Sequence, residues 1–366
     1  MSGFKRKFRM FRYNKKLLIV SALFIWGLLS GCGPDNNIET NKETDSESNK
    51  EVASETKMEI TSEEELLINT ESDSEDESLT QQVSEKATNM DAINAIVELS
   101  DVQSISDNKY TCSFENVKHD FIVYLPEDSD NAPFIIMLHG YGESGEGFCN
   151  KVHLEEEACE RGFAVIYVDG ASDPNDATSS SGWNSGIGKE GNNDVGFLCS
   201  LAKYLQKEYS LSSDRAYAVG FSNGAFMTHR LAMEASDVFA GVVSVAGKMP
   251  ESVWNSKSSK NNISFFQITG DKDDVIPKNS DGSSKFAKDP AIEDVMDYWV
   301  SSNGLKLADQ TEVGKGSVLT KYAGEGTDAR TKVWNLQVKD GRHAWPDESV
   351  CGFDMNSLIL DFLKVD

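Results

Sequence analysis

The sequence has no Phe, Tyr or Trp between Gly33 and Met90. The same stretch contains 17 acidic residues against 4 lysines, a net charge of −13, together with abundant Ser, Thr and Asn. So little apolar surface cannot offset the conformational entropy that is lost on folding. We therefore expect a disordered tether here, within a non-globular region that covers residues 32–100.

Basic residues are also scarce, with 35 Lys and Arg against 60 Asp and Glu and a net charge of −25. Seven of the basic residues lie in the first 16 positions, so residues 91–366 alone carry a net charge of −19. An acidic domain repels phosphate backbones, which excludes nucleic acid as a partner and disfavours polyanionic substrates. Neutral esters, peptides and sugars remain as substrates.

The N-terminal segment is a basic head followed by the apolar run 17–29. That run is short for a membrane span and is typical of an export signal, which we place at residues 1–31. The sequence Leu29-Ser30-Gly31-Cys32 resembles a bacterial lipobox, in which Cys32 becomes the lipidated N-terminus. A plain signal peptide that ends near a cysteine is the alternative. We expect the mature protein on the extracellular face of a bacterial membrane.

Cysteine is too rare for a disulfide framework to be inferred. Five cysteines follow Cys32, and an odd number leaves at least one of them unpaired within the chain. No connectivity follows from their spacing. They are Cys112, Cys149, Cys159, Cys199 and Cys351.

Apolar runs and amphipathic stretches alternate after residue 100, which predicts a single α/β domain over residues 101–366. An antiparallel pair opens it at 109–126, with a turn near Asn116. The other predicted strands are 132–140, 163–170, 215–221, 239–247, 263–270 and 331–338. The predicted helices are 147–161, 194–209, 223–236, 293–303 and 355–365. This order predicts a mostly parallel sheet with helices on both faces, and functional groups collect at the C-terminal strand ends.

Ser222 lies where a predicted strand turns into a helix, in Gly220-Phe221-Ser222-Asn223-Gly224. This is the G-x-S-x-G pattern of a nucleophile elbow, in which a strained turn exposes the serine hydroxyl. A β-carbon at either glycine would crowd the tight crossing. The strand-to-helix context favours a nucleophile over an ordinary serine in a glycine-rich turn.

Only five histidines can serve as the base that a serine nucleophile needs. The order of nucleophile, acid and histidine in this fold places the base after Ser222, which excludes His119, His139 and His153. His229 lies about two turns along the same helix, too far to reach the hydroxyl. His343, in a loop after the last predicted strand, remains.

The acid that orients the histidine is expected after the strand 263–270, where Asp271, Asp273 and Asp274 follow one another. The residues alone do not separate these three aspartates. A calcium loop of the EF-hand type is excluded, because its sixth position would be Ile276 and its twelfth Gly282.

Two backbone N–H groups are expected to bind the oxyanion of the tetrahedral intermediate. One belongs to Asn223, directly after the nucleophile. The other belongs to the loop "HGYGES" after strand 132–139, where we expect Tyr141 to donate. His139 is then a structural residue of that loop.

With these residues in place, the sequence resembles the polyhydroxybutyrate depolymerase, feruloyl esterase and acetylxylan esterase group of α/β-hydrolases. The resemblance spans roughly residues 115–365 and rests on six blocks in the family's order. They are "LHGYGES" (138–144), "VDG" with "WN" (168–170, 183–184), "NDVGF" (193–197), "DRAYAVGFSNGAFM" (214–227), "GDKDDVIP" (270–277) and "GRHAWP" (341–346).

The resemblance implies Asp273 as the acid, because the family's aspartate stands four residues before the proline of this block. It also implies Trp183 and Asn184 as pocket residues, although a tryptophan packed on the domain surface is an equal alternative. Two positions depart from the family, Thr269 in place of a common histidine and Arg342 in a usually glycine-rich stretch. Both concern the rim of the pocket rather than the triad.

Together these features predict a membrane-tethered serine esterase that acts on polysaccharide-linked acetyl or feruloyl esters or on hydroxyalkanoate esters. The expected substrate is a polymer or its oligomers, and no metal or cofactor is expected. A serine peptidase with the same triad is the first alternative. A lipoprotein that binds polysaccharide or polyester without catalysis is the second.

Overall fold

The computed structural model describes residues 97–364, apart from 172–179, 189–190, 258–261, 278–285, 287 and 325–330. The predicted signal segment, Cys32 and nearly all of the tether lie outside the described residues. Among the residues that are described, no helix is both long enough and apolar enough to cross a bilayer.

Eleven strands of the described chain join in one sheet. The first six strands are β1 (Ser100–Ser104), β2 (Lys109–Phe114), β3 (Val117–Tyr124), β4 (Phe134–Leu138), β5 (Ala164–Val168) and β6 (Ala216–Phe221). The other five are β7 (Gly241–Val245), β8 (Ser264–Gly270), β9 (Lys306–Val313), β10 (Ser317–Ala323) and β11 (Lys332–Val338). Their order across the sheet is β1-β2-β3-β5-β4-β6-β7-β8-β11-β10-β9.

Eight helices are described, and they connect or flank these strands. They are α1 (Gly145–Val152), α2 (Leu154–Glu160), α3 (Asp194–Tyr209), α4 (Asn223–Glu234), α5 (Glu251–Asn255), α6 (Ile292–Ser302), α7 (Glu348–Cys351) and α8 (Met355–Leu363).

The centre of the sheet is parallel, as the alternation of strands and helices predicts. Strands β5, β4, β6, β7, β8 and β11 run in one direction. Antiparallel strands extend both edges, β3 to β1 beyond β5 and the β10–β9 pair beyond β11. Parallel strands end at one edge of a sheet, so the loops after β4, β6, β8 and β11 meet there.

Separate hydrophobic cores cover the two faces of the sheet. Along β4, Ile136 and Leu138 belong to one core, while Ile135 and Met137 belong to the other. Successive side chains of a strand point to opposite faces, so these cores lie on opposite sides. Helix α3 contributes to the first core and α8 to the second. The predicted α/β-hydrolase fold, with helices on both faces, is confirmed.

The helix predicted over 147–161 is wrong in one respect, because the structure has two helices there. His153 adopts the left-handed conformation, with φ 52° and ψ 37°, and separates α1 from α2. The side chain of Ser144 caps α1 by accepting a hydrogen bond from the Gly147 N–H. The break redirects the chain after the loop that follows β4.

The five cysteines among the described residues are all free thiols. Cys112, Cys149 and Cys351 are buried, and burial raises the pKa of the Cys112 thiol to about 12. Cys199 is partly buried against the first core. Their packing agrees with the role of cysteine as a small apolar side chain.

Candidate active site

Ser222 occupies the turn between β6 and α4 in a strained backbone conformation. Its φ is 53° and its ψ is −117°, a region that residues with a β-carbon rarely adopt. The Ser222 N–H donates to the Val245 carbonyl at 3.0 Å, which attaches the turn to the neighbouring strand β7. The strand-to-helix turn thus presents the serine side chain above the C-terminal edge of the sheet.

The two glycines of the motif allow the chain to cross itself closely at this turn. A β-carbon on Gly220 would lie 2.1 Å from the Gly224 carbonyl oxygen. A β-carbon on Gly224 would lie 2.1 Å from the Leu138 carbonyl oxygen, at the end of β4. Both distances are far below any van der Waals contact, so only glycine fits two residues before and two residues after Ser222.

The structure brings Ser222, His343 and Asp273 into one chain of hydrogen bonds. The His343 Nε2 atom lies 2.9 Å from Ser222 Oγ, and His343 Nδ1 lies 2.9 Å from Asp273 Oδ2. The Asp273 side chain is 1% exposed and that of His343 16% exposed. With Nδ1 donating to the carboxylate, Nε2 is left as the acceptor for the serine hydroxyl.

The carboxylate of Asp273 is fixed on its other side by the backbone that follows it. Asp273 Oδ1 accepts hydrogen bonds from the Val275 and Ile276 N–H groups, at 2.9 and 2.8 Å. Asp271 and Asp274, by contrast, have exposed side chains. Burial beside the imidazole therefore separates three aspartates that the sequence leaves equivalent.

His229 is enclosed in the core rather than placed at the elbow. It is 1% exposed, and burial lowers its pKa to about 3, so the ring is neutral near pH 7. Its Nε2 atom lies 3.1 Å from Ser244 Oγ. His119 is also buried and stacks on Phe197 with the ring centroids 3.6 Å apart. The contacts of both imidazole rings therefore lie away from Ser222.

The expected oxyanion donors both border the cavity beside Ser222. Asn223 is the first residue of α4, so its N–H has no acceptor within the helix. Tyr141 follows β4 and lines the same cavity. The Asn223 side chain has a further role that the sequence did not reveal, because its amide oxygen accepts from the Trp183 N–H at 2.7 Å and its amide nitrogen donates to the Trp183 carbonyl at 3.2 Å.

The cavity beside Ser222 has a volume of about 390 Å³. Phe226, Ile276 and Phe286 form one of its walls and pack into a cluster separate from the two cores, with the phenyl centroids 5.3 Å apart. Three other large apolar side chains that line it are more than one third exposed. They are Tyr141, Ile187 and Val275.

Trp183 and Asn184 line this cavity, at the position that the resemblance implies. Trp183 is only 6% exposed, and its Nε1–H donates to the His139 carbonyl at 2.9 Å. The Asn184 N–H donates to Asp194 Oδ2, and its carbonyl accepts from Arg230 at 2.7 Å. Trp183 is therefore a buried part of the cavity floor rather than a surface residue.

The chain is similar in sequence to proteins that are named as esterases and depolymerases. Residues 119–268 match the family model described as "Esterase PHB depolymerase". Over these residues the chain is similar to that family. The match includes β4, the elbow with Ser222 and the first five residues of β8, and it ends before Asp273 and His343.

Curated relatives of this domain cover different shares of the chain. NocK of Nocardia uniformis subsp. tsuyamanensis, which is named as an esterase, is 28% identical over 61% of this chain and 67% of its own length. Feruloyl esterase B of Thermothelomyces thermophilus is 33% identical over 33% of this chain. This chain spans 42% of that feruloyl esterase, so the two share the domain rather than their full lengths.

A solved structure agrees with the fold. The acetyl xylan esterase from Aspergillus awamori has a TM-score of 0.50 and 13% identity, over 73% of this chain and 99% of that one. At this identity the likeness concerns the α/β-hydrolase fold alone. By sequence, the family match and the curated relatives make the chain similar to hydrolases of the esterase and depolymerase type.

Proposed function

We propose that the protein hydrolyses carboxylic esters through an acyl-enzyme on Ser222. The observation that carries the proposal is the hydrogen-bonded relay in which His343 lies 2.9 Å from both Ser222 Oγ and Asp273 Oδ2. A serine hydroxyl attacks a carbonyl only when a base removes its proton, and this relay supplies the base and the group that orients it.

In the acylation step His343 Nε2 takes the hydroxyl proton while Ser222 Oγ bonds to the ester carbonyl carbon. Asp273 stabilises the imidazolium, and the Asn223 and Tyr141 N–H groups donate to the developing oxyanion. The intermediate collapses as His343 returns the proton to the leaving alkoxide, which departs as an alcohol. Water, deprotonated by the same histidine, then attacks the acyl carbon, and the bond to Ser222 Oγ breaks as His343 returns the proton to Ser222 and the acid leaves.

We further propose that the preferred acyl group is larger than acetyl. The cavity of about 390 Å³ and its wall of Phe226, Ile276 and Phe286 offer apolar surface that an acetyl group would leave empty. Burying apolar area is worth about 25 cal/mol per Å². Among the expected ester classes, feruloyl and hydroxyalkanoate groups use this surface, and the polymer-linked forms of these esters are the proposed natural substrates.

A panel of esters tests both statements. The protein is expected to hydrolyse p-nitrophenyl butyrate with a higher kcat/KM than p-nitrophenyl acetate. Methyl ferulate and methyl 3-hydroxybutyrate should likewise be hydrolysed with a higher kcat/KM than methyl acetate. In Phe286→Ala the preference for butyrate over acetate should fall by about tenfold, because the wall of the cavity is lost. Phe353→Ala, outside the cavity, is the matched control. No hydrolysis of any ester would refute the esterase, whereas a preference for acetate would refute only the acyl class.

We also propose that the protein is exported and anchored through a lipid on Cys32 at the extracellular face of the membrane. The basic head, the short apolar run and the sequence Leu29-Ser30-Gly31-Cys32 support this. In a bacterial host, an alkyne fatty acid should be incorporated into the full-length chain and not into Cys32→Ala, which should leave the membrane fraction. Equal labelling of the two chains would contradict the anchor.

A further inference from the structure

The peptide bond between Gly140 and Tyr141 has its carbonyl held by two donors. The Gly140 carbonyl accepts from the Glu143 N–H at 3.2 Å and lies 2.7 Å from His139 Nδ1. His139 Nε2 accepts from the Gly170 N–H, so the proton of this ring is on Nδ1 and is donated to the Gly140 carbonyl. A planar trans peptide directs the Tyr141 N–H away from that carbonyl. The partners of the carbonyl therefore fix the direction of the proposed oxyanion donor.

The side chain of Glu143 holds the same loop from its other side. Glu143 Oε2 accepts from the Gly140 N–H at 3.0 Å, and Oε1 forms an ion pair with Lys151 at 3.0 Å. The Glu143 carbonyl also accepts from the Ser181 hydroxyl, while the Ser181 carbonyl accepts from the Gly142 N–H at 2.7 Å. Glu143 thus binds Gly140 through its N–H and its carboxylate, and it binds Ser181 through its carbonyl.

Lys151 connects this loop to the strand that precedes the nucleophile. Its ammonium lies 4.4 Å from the centroid of the Phe221 ring, and that ring lies 5.4 Å from the His343 ring. Phe221 is the last residue of β6, directly before Ser222. The pair of Glu143 and Lys151 therefore joins the loop of one proposed oxyanion donor to the surroundings of the nucleophile and the base.

We infer that Glu143 is a positioning residue for the oxyanion hole, which fixes the Gly140–Tyr141 peptide so that the Tyr141 N–H donates to the oxyanion. This inference rests on the proposed esterase function. Its essential contact is the hydrogen bond from the Gly140 N–H to the carboxylate, and the ion pair with Lys151 only orients the side chain. Position 143 therefore requires a side chain that is long enough to accept from the Gly140 N–H, rather than one that is charged.

Two substitutions separate the effect of the length of the Glu143 side chain from the effect of its charge. Glu143→Gln keeps the length and an acceptor oxygen, so its kcat for p-nitrophenyl butyrate should stay within about threefold of the wild type. Glu143→Asp keeps the charge but is one methylene too short, so kcat should fall about tenfold or more while KM changes less than about threefold. Inhibition by a trifluoromethyl ketone, whose adduct with Ser222 places an oxyanion in the hole, should weaken by the same factor in Glu143→Asp only.

The same two substitutions at Glu146 are the control, because Glu146 pairs with Lys109 outside this loop. Equal activity in Glu143→Asp and the wild type, or equal loss in Glu143→Asp and Glu143→Gln, would overturn the inference. If Glu143→Asp does not fold, Lys151→Met provides the second measurement. This variant keeps the contact between Glu143 and Gly140, so its kcat for p-nitrophenyl butyrate should stay within about threefold of the wild type. A tenfold loss of kcat in Lys151→Met would overturn the inference. A wild type that hydrolyses no ester would instead refute the proposed function.

Discussion

Replacing Ser222 with alanine is expected to lower kcat for p-nitrophenyl butyrate by about 10⁵-fold. The substitution removes only the hydroxyl oxygen that lies 2.9 Å from His343 Nε2, so no acyl-enzyme can form. The strained turn keeps a β-carbon and its Gly220 and Gly224 neighbours, so the melting temperature should change by only a few degrees. Steady-state kinetics and thermal unfolding of the two proteins measure both effects.

A matched control for this variant is Ser213→Ala, since Ser213 is exposed and precedes β6, at the opposite end of that strand from the elbow. Its turnover should equal that of the wild type. Turnover by Ser222→Ala above about one per cent of the wild type would mean that another group performs the attack.

Asp273→Asn is expected to reduce kcat by about 10³- to 10⁴-fold with the fold intact, the size of effect known for this change in a serine protease triad. The amide oxygen can still accept from the Val275 and Ile276 N–H groups, which leaves the amide nitrogen facing His343 Nδ1. That nitrogen is a donor, so the ring must carry its own proton on Nε2. In this tautomer His343 cannot accept the serine proton.

The neighbouring aspartates provide the controls for Asp273→Asn. Asp271→Asn and Asp274→Asn change the same charge on exposed side chains, so their kcat should stay within about threefold of the wild type. A large loss of kcat in either of these variants, with activity retained in Asp273→Asn, would mean that Asp273 is not the acid of the triad.

The proposed nucleophile and base could be inferred from the sequence because their signals are local or few in number. Ser222 lies in a motif whose strand-to-helix context can be recognised from apolar patterning, and only one of five histidines follows it beyond the same helix. The acid was not predictable from the residues alone. Asp271, Asp273 and Asp274 share one strand end, and only the folded turn buries one carboxylate beside His343.

The sequence pattern did not predict β1, β9, β10, α5, α7 or the break between α1 and α2, and two of these cases have a clear physical reason. The break between α1 and α2 depends on His153 in the left-handed conformation, which neither Gly nor Pro marks in the sequence. Strand β9 is exposed along almost its whole length, so it lacks the apolar alternation that identifies a strand. It forms because β10 pairs with it on one side and with β11 on the other.

The cavity wall was not predictable because its members are distant in sequence. Phe226 lies in α4 and Phe286 about sixty residues later, and nothing local indicates that their rings meet. The contact of Glu143 with Ser181, 38 residues later, likewise depends on how two separate loops approach each other. The proposed substrate preference and oxyanion geometry therefore rest on contacts that the sequence pattern does not indicate.

The most direct test of the central claim is to identify the residue that an alkyl fluorophosphonate modifies. The reagent should inactivate the protein with one equivalent bound, and mass spectrometry of the digested protein should place the adduct on Ser222. Ser222→Ala should remain unlabelled under the same conditions. Ester turnover that persists after complete treatment, or an adduct on a different residue that accounts for the loss of activity, would contradict the account.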